Sequence, residues 1–207
     1  MTKRLVFIGG GGLAKEMDEI ASLNGFEIVG YTALSEDVLD RPFLGPMESL
    51  LERRDSFDAV IIAFGAVNRK TMARRAEVVT WVQENHLPSL PLISPRASIS
   101  KGVKIADGSF VAHGAVVSVD VTVGAFSIIN YNAMIGHETT LDSNVIVAPG
   151  AFVGGRAHIG ANTLLGAGAN ILQGLDIGSN AIVSVGSAVL RDVPSGATVL
   201  PVASRVL

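Results

Sequence analysis

The residues best suited to chemistry in this sequence lie in one short segment, Ile135-Gly136-His137-Glu138. An imidazole, which titrates near pH 6.5 as a free side chain, can accept a proton at neutral pH. A carboxylate beside it can hold the ring and stabilise the imidazolium it becomes. Such a pair suits general-base work, removal of a proton from a nucleophile as it attacks. The chain has no cysteine. That excludes a cysteine acyl-enzyme, thiolate metal sites and disulfides. The four histidines, His86, His113, His137 and His158, are spaced 27, 24 and 21 residues apart. None forms a close pair on one strand, which argues against a zinc site. A second candidate is Gly9 to Gly12, whose amides could cradle a phosphate ahead of a helix, although such a turn also serves packing.

What must position His137 is a long periodic array. From Ile93 to Val189 an aliphatic residue recurs at every sixth position, 17 times without insertion. The next position is Gly, Ala or Ser in 13 of the 17, and the position four after the aliphatic is Ala, Val, Ser or Thr in 16. A hexapeptide period predicts a parallel β-helix in which each repeat forms one short strand and a turn. The aliphatic points inward and stacks on its counterpart one coil away, about 4.8 Å along the axis. Three hexads make a triangular coil, so residues 18 apart share a column. His137 then faces outward beside Gly155, and Glu138 beside Arg156. Gly155 leaves a notch against the imidazole.

Residues 1–92 read differently. Strands are expected at Lys3–Ile8, Phe26–Tyr31 and Ala59–Phe64, and helices at Leu13–Asn24, Met47–Arg54 and Asn68–His86. Leu13, Met17, Ile20 and Ala21 form one apolar face, and Asn68 is an N-cap. Alternating strands and helices predict a small parallel Rossmann-like α/β domain, truncated relative to a full dinucleotide fold. The 207 residues carry 16 basic and 19 acidic side chains, which excludes the basic excess of a nucleic-acid binder. No apolar run is long enough to span a membrane. The apolar run after Lys3-Arg4 passes into glycines and charge rather than a secretory leader, so the chain is expected in the cytoplasm. Only twelve charges fall in residues 93–207, Arg205 among them. Outward apolar residues such as Val117 to Val119 with Ala125-Phe126 point to faces buried against other copies, most simply in a three-fold ring.

The order of these parts, a glycine-rich strand–helix opening and then hexads carrying Ile-Gly-His-Glu, Val-Gly-Gly-Arg (Val153–Arg156) and Arg-Asp-Val-Pro (Arg191–Pro194), resembles the sialic acid O-acetyltransferase (NeuD/PglD-type) family of sugar acyltransferases. The resemblance covers essentially the whole chain. It implies a homotrimer with a left-handed β-helix over 93–207 and acetyl-CoA bound between neighbouring β-helices. A nucleotide-linked amino sugar would be held partly by the domain over 1–92, with its 4-amino group as acceptor. By this resemblance His137 is the general base, Glu138 its support, and Asn130 lies near the acceptor. Gly10, Gly11, Gly12 and Leu13 meet the nucleotide sugar. Gly155, Ala167, Val185, Gly186 and Arg191 meet acetyl-CoA, and no metal is involved. The chain departs from the family at Leu13, where histidine is common, at Ala33-Leu34, where an acidic pair is common, and at Ile146, where a histidine can line the acyl site. Its tail, Leu200-Pro201-Val202-Ala203, lacks the usual Gly-X-Pro-Ala end. Two alternatives stay open on the sequence: O-acetylation of a sialic acid or other sugar, and a non-catalytic regulatory or structural role.

Overall fold

The computed structural model describes residues 2–201; Val202, Ala203 and Arg205 at the end of the expected second domain lie outside the described residues. Three parallel strands, β1 (Arg4–Ile8), β2 (Glu27–Thr32) and β3 (Ala59–Ile62), form a sheet in the order β2-β1-β3. Helix α1 (Gly12–Leu23) connects β1 to β2, and α2 (Arg69–Glu84) follows β3. The apolar run of β1 is buried on both faces, as expected of a central parallel strand. Asn68 caps α2 by accepting from the Thr71 amide at 3.0 Å, within a reciprocal capping box. This unit is a minimal β–α–β core with one further strand and helix. The expected helix at Met47–Arg54 is instead a 3-10 turn over Met47–Leu51 and a second over Arg54–Ser56. Only Leu50 of these segments is buried, too little apolar anchorage to hold a longer helix. On α1 the buried face is Ala14, Met17, Ile20 and Ala21, and Leu13 is displaced from it to line a cleft.

From Leu92 onward the chain winds as a parallel β-solenoid that matches a left-handed β-helix. Strands pair 18 residues apart, as in Ile128 with Ile146 and Ile146 with Leu164. Seven strands stack on the first face, six on the second and five on the third. Each complete coil hexad contributes two inward residues. The aliphatic series packs with the smaller residues four positions on, such as Ala133, Val145 and Ala169. Where that smaller residue is Ser109, Ser127, Thr139 or Thr163, its hydroxyl donates to a backbone carbonyl at 2.9–3.0 Å, so its burial leaves no orphan. The last turn is short: Ile182 pairs with Thr198, sixteen residues on, where the hexad phase lapses.

The three outer faces differ in chemistry. On the first, the outward column Leu92, Phe110, Ile128, Ile146, Leu164 and Ile182 is buried and shares one apolar core with Leu5, Phe7, Met17 and Ile20. The two halves therefore have a continuous core across residue 92, each such side chain contributing roughly 1.5–3 kcal/mol by leaving water. On the second face the outward column reads Ser98, Val116, Met134, Phe152, Asn170 and Ala188, and its three large apolar members are exposed. On the third it reads Lys104, Thr122, Thr140, His158 and Asp176. Of the expected intermolecular face at Val117 to Val119 with Ala125-Phe126, Val119 is exposed as expected and the rest is corrected. Val117 points into the solenoid core. Phe126, only 5% exposed, packs with Ala125 against the chain's own β1–β3 and α2 residues.

Candidate active site

His137 stands at the corner after the second-face strand Met134–Ile135, and its side chain is 46% exposed. The corner can be this tight because Glu138 adopts a left-handed backbone conformation, φ 57°. His137 Nδ1 and Glu138 Oε2 are 2.9 Å apart, and Arg156 Nε, one coil on, donates to the same oxygen at 3.0 Å. The hydrogen bond from His137, then the hydrogen bond and charge of Arg156, hold the Glu138 carboxyl below its usual range, so it stays ionised at neutral pH. An ionised carboxylate can only accept, so Nδ1 carries a proton, and in the neutral tautomer this selects, Nε2 holds the lone pair. The ring lies across Gly155: a Cβ there would approach Nε2 to 2.6 Å and Cδ2 to 2.7 Å. The notch expected at Gly155 is occupied by the imidazole itself.

A cleft of about 600 Å³ opens between the α/β unit and the first face of the solenoid. It gathers Gly11, Gly12, Leu13, Asn130, Ala167 and Val185, all expected at the site, and Ile146 forms part of its floor. Asn130 Oδ1 accepts the Tyr131 N–H at 2.8 Å. The residues stacked above Tyr131 are Pro149, Ala167 and Val185. The first has no N–H, and the Ala167 and Val185 amides donate to no acceptor among the described residues. Two outward amides are therefore available to a bound carbonyl. His137, Glu138 and Gly155 do not line this cleft, because one whole face, Tyr131–Ile135, separates the Asn130 corner from the His137 corner.

Other expected residues lie elsewhere. Gly10 is a packing residue: a Cβ there would run into the Tyr31 ring, and it lines a second cleft of about 340 Å³ with Thr32, Ala33, Leu34 and Asp37. Gly11 and Phe64 line both clefts, so the glycine loop is the wall between them. Gly186 is a turn residue at φ 68° beside Val185. Arg191 stands apart from the first cleft, in a groove at the C-terminal end of the solenoid with Leu190, Pro194 and Leu200. Among the described residues no group of three or more His, Asp or Glu side chains is placed to hold a metal ion, and no helix is long and apolar enough to cross a membrane.

Sequence reasoning passed over two charged residues. Glu16, on α1, lines the first cleft. Arg75, on α2, is fully buried and binds only neutral acceptors: Asn144 Oδ1 at 3.0 Å, the Phe126 carbonyl at 2.9 Å, and the Ile62 and Phe64 carbonyls. Burial without a carboxylate pushes its pKa down to about 9. Arg75 thereby ties the end of β3, which carries the cleft wall, to the solenoid corners. Its place in the buried stripe Met72, Arg75, Val79, Val82 was the one available signal.

A small parallel α/β unit docked on one face of a hexapeptide-repeat solenoid is a fold this chain shares with solved hexapeptide-repeat sugar acetyltransferases. Solved structures of that class align with nearly the whole chain. A histidine-to-asparagine variant of perosamine N-acetyltransferase from Caulobacter crescentus, in complex with CoA and GDP-perosamine, is 26% identical with TM-score 0.86, over 94% of this chain and 91% of that one. The acetyltransferase domain of PglB from Neisseria gonorrhoeae FA1090 is 28% identical with TM-score 0.84, over 95% and 96% of the two chains; its complex with acetyl coenzyme A aligns at TM-score 0.82 with 25% identity, over 96% of each. WeeI from Acinetobacter baumannii AYE shares the fold at 24% identity and TM-score 0.80, over 96% of each chain. No family model and no curated protein sequence matches the chain.

Proposed function

We propose that this chain is an acetyl-CoA-dependent N-acetyltransferase acting on the 4-amino group of a nucleotide-linked amino sugar, with His137 as general base. The observation that carries this reading is the exposed imidazole whose Nδ1 is committed to Glu138 and whose Nε2 is free. Nε2 takes a proton from the acceptor nitrogen as that nitrogen attacks the thioester carbon. The C–N bond forms, the C–S bond breaks, and the proton on the imidazolium passes to the departing sulfur. Glu138 stabilises the imidazolium in between. The Ala167 and Val185 amides are suited to the thioester oxygen or to the amide groups of the donor's arm. The nucleotide lies in the second cleft, where the Thr32 hydroxyl is buried without a partner, and its diphosphate meets the start of α1. The sugar then crosses Gly11 into the first cleft. The likeness to an N-acetyltransferase solved with CoA and GDP-perosamine, and to an acetyltransferase domain solved with acetyl coenzyme A, supports this choice of donor and acceptor over the O-acetylating and non-catalytic alternatives.

Within one protomer the base and the cleft occupy different corners, so the reading requires a neighbouring copy. The exposed apolar column Val116, Met134 and Phe152 on the second face supports a homotrimer in which that face is covered. The His137 corner of one protomer then meets the cleft of the next.

The test is incubation with acetyl-CoA and a panel of nucleotide-linked 4-amino sugars, following free CoA, with His137→Ala in parallel. Release by the wild type that is lost in the variant supports the proposal. Absence of both release and CoA binding contradicts it, and a monomer in sedimentation contradicts the shared site.

A further inference from the structure

The first cleft is lined by glycine, apolar side chains and Asn130, and Glu16 is its only charged side chain. Helix α1 packs through Ala14, Met17, Ile20 and Ala21, so Glu16 has no part in holding the helix down. Of the basic side chains near this stretch of helix, Lys15 is exposed and makes no ion pair among the described residues, and the others are engaged elsewhere. Arg96 and His113, reaching from the solenoid, approach Glu19 at 3.6 and 3.5 Å, and Arg41 pairs with Asp18 at 2.9 Å. Among the described residues no cation lies within ion-pair distance of Glu16. The titratable group facing it from the solenoid is Tyr131, whose phenol is pushed up by burial and by the charges of Glu16 and Glu19. Burial also pushes the Glu16 carboxyl above its ordinary value. By surface area Glu16 is exposed, and a carboxylate at the cleft with no protein cation in contact attracts a ligand cation.

Resting on the acetyl-transfer reading above, we propose that Glu16 is the specificity-determining residue of the cleft: it receives the acceptor's amino group as a cation and so selects amines over hydroxyls. The bound R–NH3+ first yields one proton to water through the open cleft. The neutral amine then loses its second proton to His137 Nε2 as the C–N bond forms, and CoA leaves as the thiol. Because the ion pair stabilises R–NH3+, it raises the pH at which the bound acceptor becomes reactive.

The experiment compares wild type and Glu16→Gln on a nucleotide-linked 4-amino sugar and its 4-hydroxy counterpart. Loss of a charge-assisted contact should raise KM for the amine about 10- to 100-fold, with KM for acetyl-CoA and the inhibition constant of the hydroxy sugar unchanged. The rise of kcat with pH should move to lower pH in the variant. An unchanged amine KM and pH profile, or equal losses for both sugars, overturns the proposal. Should the wild type acetylate neither sugar, the acetyl-transfer reading is what fails. Calorimetric titration of the amino sugar against both proteins then still decides: weaker binding to Glu16→Gln supports the assignment and equal binding overturns it.

Discussion

Substituting Gly155 by alanine isolates the role of the histidine from the stability of the fold. The Gly155 backbone is not in the left-handed region, so alanine is conformationally acceptable there. Its Cβ would sit 2.6 Å from His137 Nε2, whereas ordinary contact begins at 3.4 Å, so the ring must retreat by at least 0.8 Å (3.4 − 2.6). The atoms displaced are the end of an exposed side chain, so the adjustment costs little. Relief of unfolded-chain entropy on Gly→Ala, about 0.4–1 kcal/mol, acts in the opposite direction. The melting temperature should therefore stay within about 3 °C of wild type. Catalysis is far more sensitive, since a displacement of about 1 Å at a reacting group can cost about 100-fold in rate. We expect kcat for CoA release to fall by about that factor, approaching His137→Ala. A kcat within twofold of wild type would refute the assignment of the base. A fall of more than about 5 °C in melting temperature would show that the ring is wedged into the fold rather than resting on it.

Further expectations follow from the same contacts. Glu138→Gln keeps a neighbour for the ring but removes its charge, and kcat should fall about 10- to 100-fold with no change in acetyl-CoA affinity by calorimetry. Because the folded pKa of Glu138 is depressed, its support of the ring is present above the ordinary glutamate range and is lost only as pH falls through the depressed value, so the wild-type rate near pH 5 should not report Glu138. Arg75→Met should orphan the neutral acceptors that Arg75 now serves, at about 1–3 kcal/mol for each one left buried and unpaired, so a loss of about 3 kcal/mol, read as a drop of roughly 6–12 °C in melting temperature. At His158, desolvation disfavours the charge, but hydrogen bonds to Asp176 at 2.9 Å and Asp142 at 3.2 Å outweigh it and raise the pKa. That stabilisation is complete below the ordinary histidine value and fades as pH rises through the raised one. His158→Gln should then cost no more than about 1 kcal/mol at pH 5.5 and nothing at pH 9 by denaturant titration, given the exposure of the pair.

The parts of this structure that were legible in the sequence are those set by local phase. An array of hexads without insertion fixes which side chains enter the core, and the outward direction of His137 and its position over Gly155 followed from counting alone. Periodicity does not say what covers an outward face. Ile128 and Ile146 on the first face and Val116 and Met134 on the second occupy the same hexad position, yet the former are buried under the chain's own sheet and the latter are exposed. Only the docking of β1 and α1 distinguishes them. For the same reason Arg75 reads in sequence as a solvated helix residue, and Glu16 as one more charge on the polar side of α1. Among the glycines, only three-dimensional proximity separates Gly10, pressed on Tyr31, from Gly11, which borders both clefts.

The most direct test of a site shared between copies is complementation between two inactive variants. His137→Ala lacks the base, and Ala167→Trp fills the cleft. Each alone should release no CoA. In a ring assembled at random from equal amounts of both, a base-competent corner meets an open cleft at about one seam in four, so co-expressed and co-purified protein should recover about a quarter of wild-type activity. Mixed assemblies, verified by two distinct affinity tags, that remain as inactive as either parent would contradict the account.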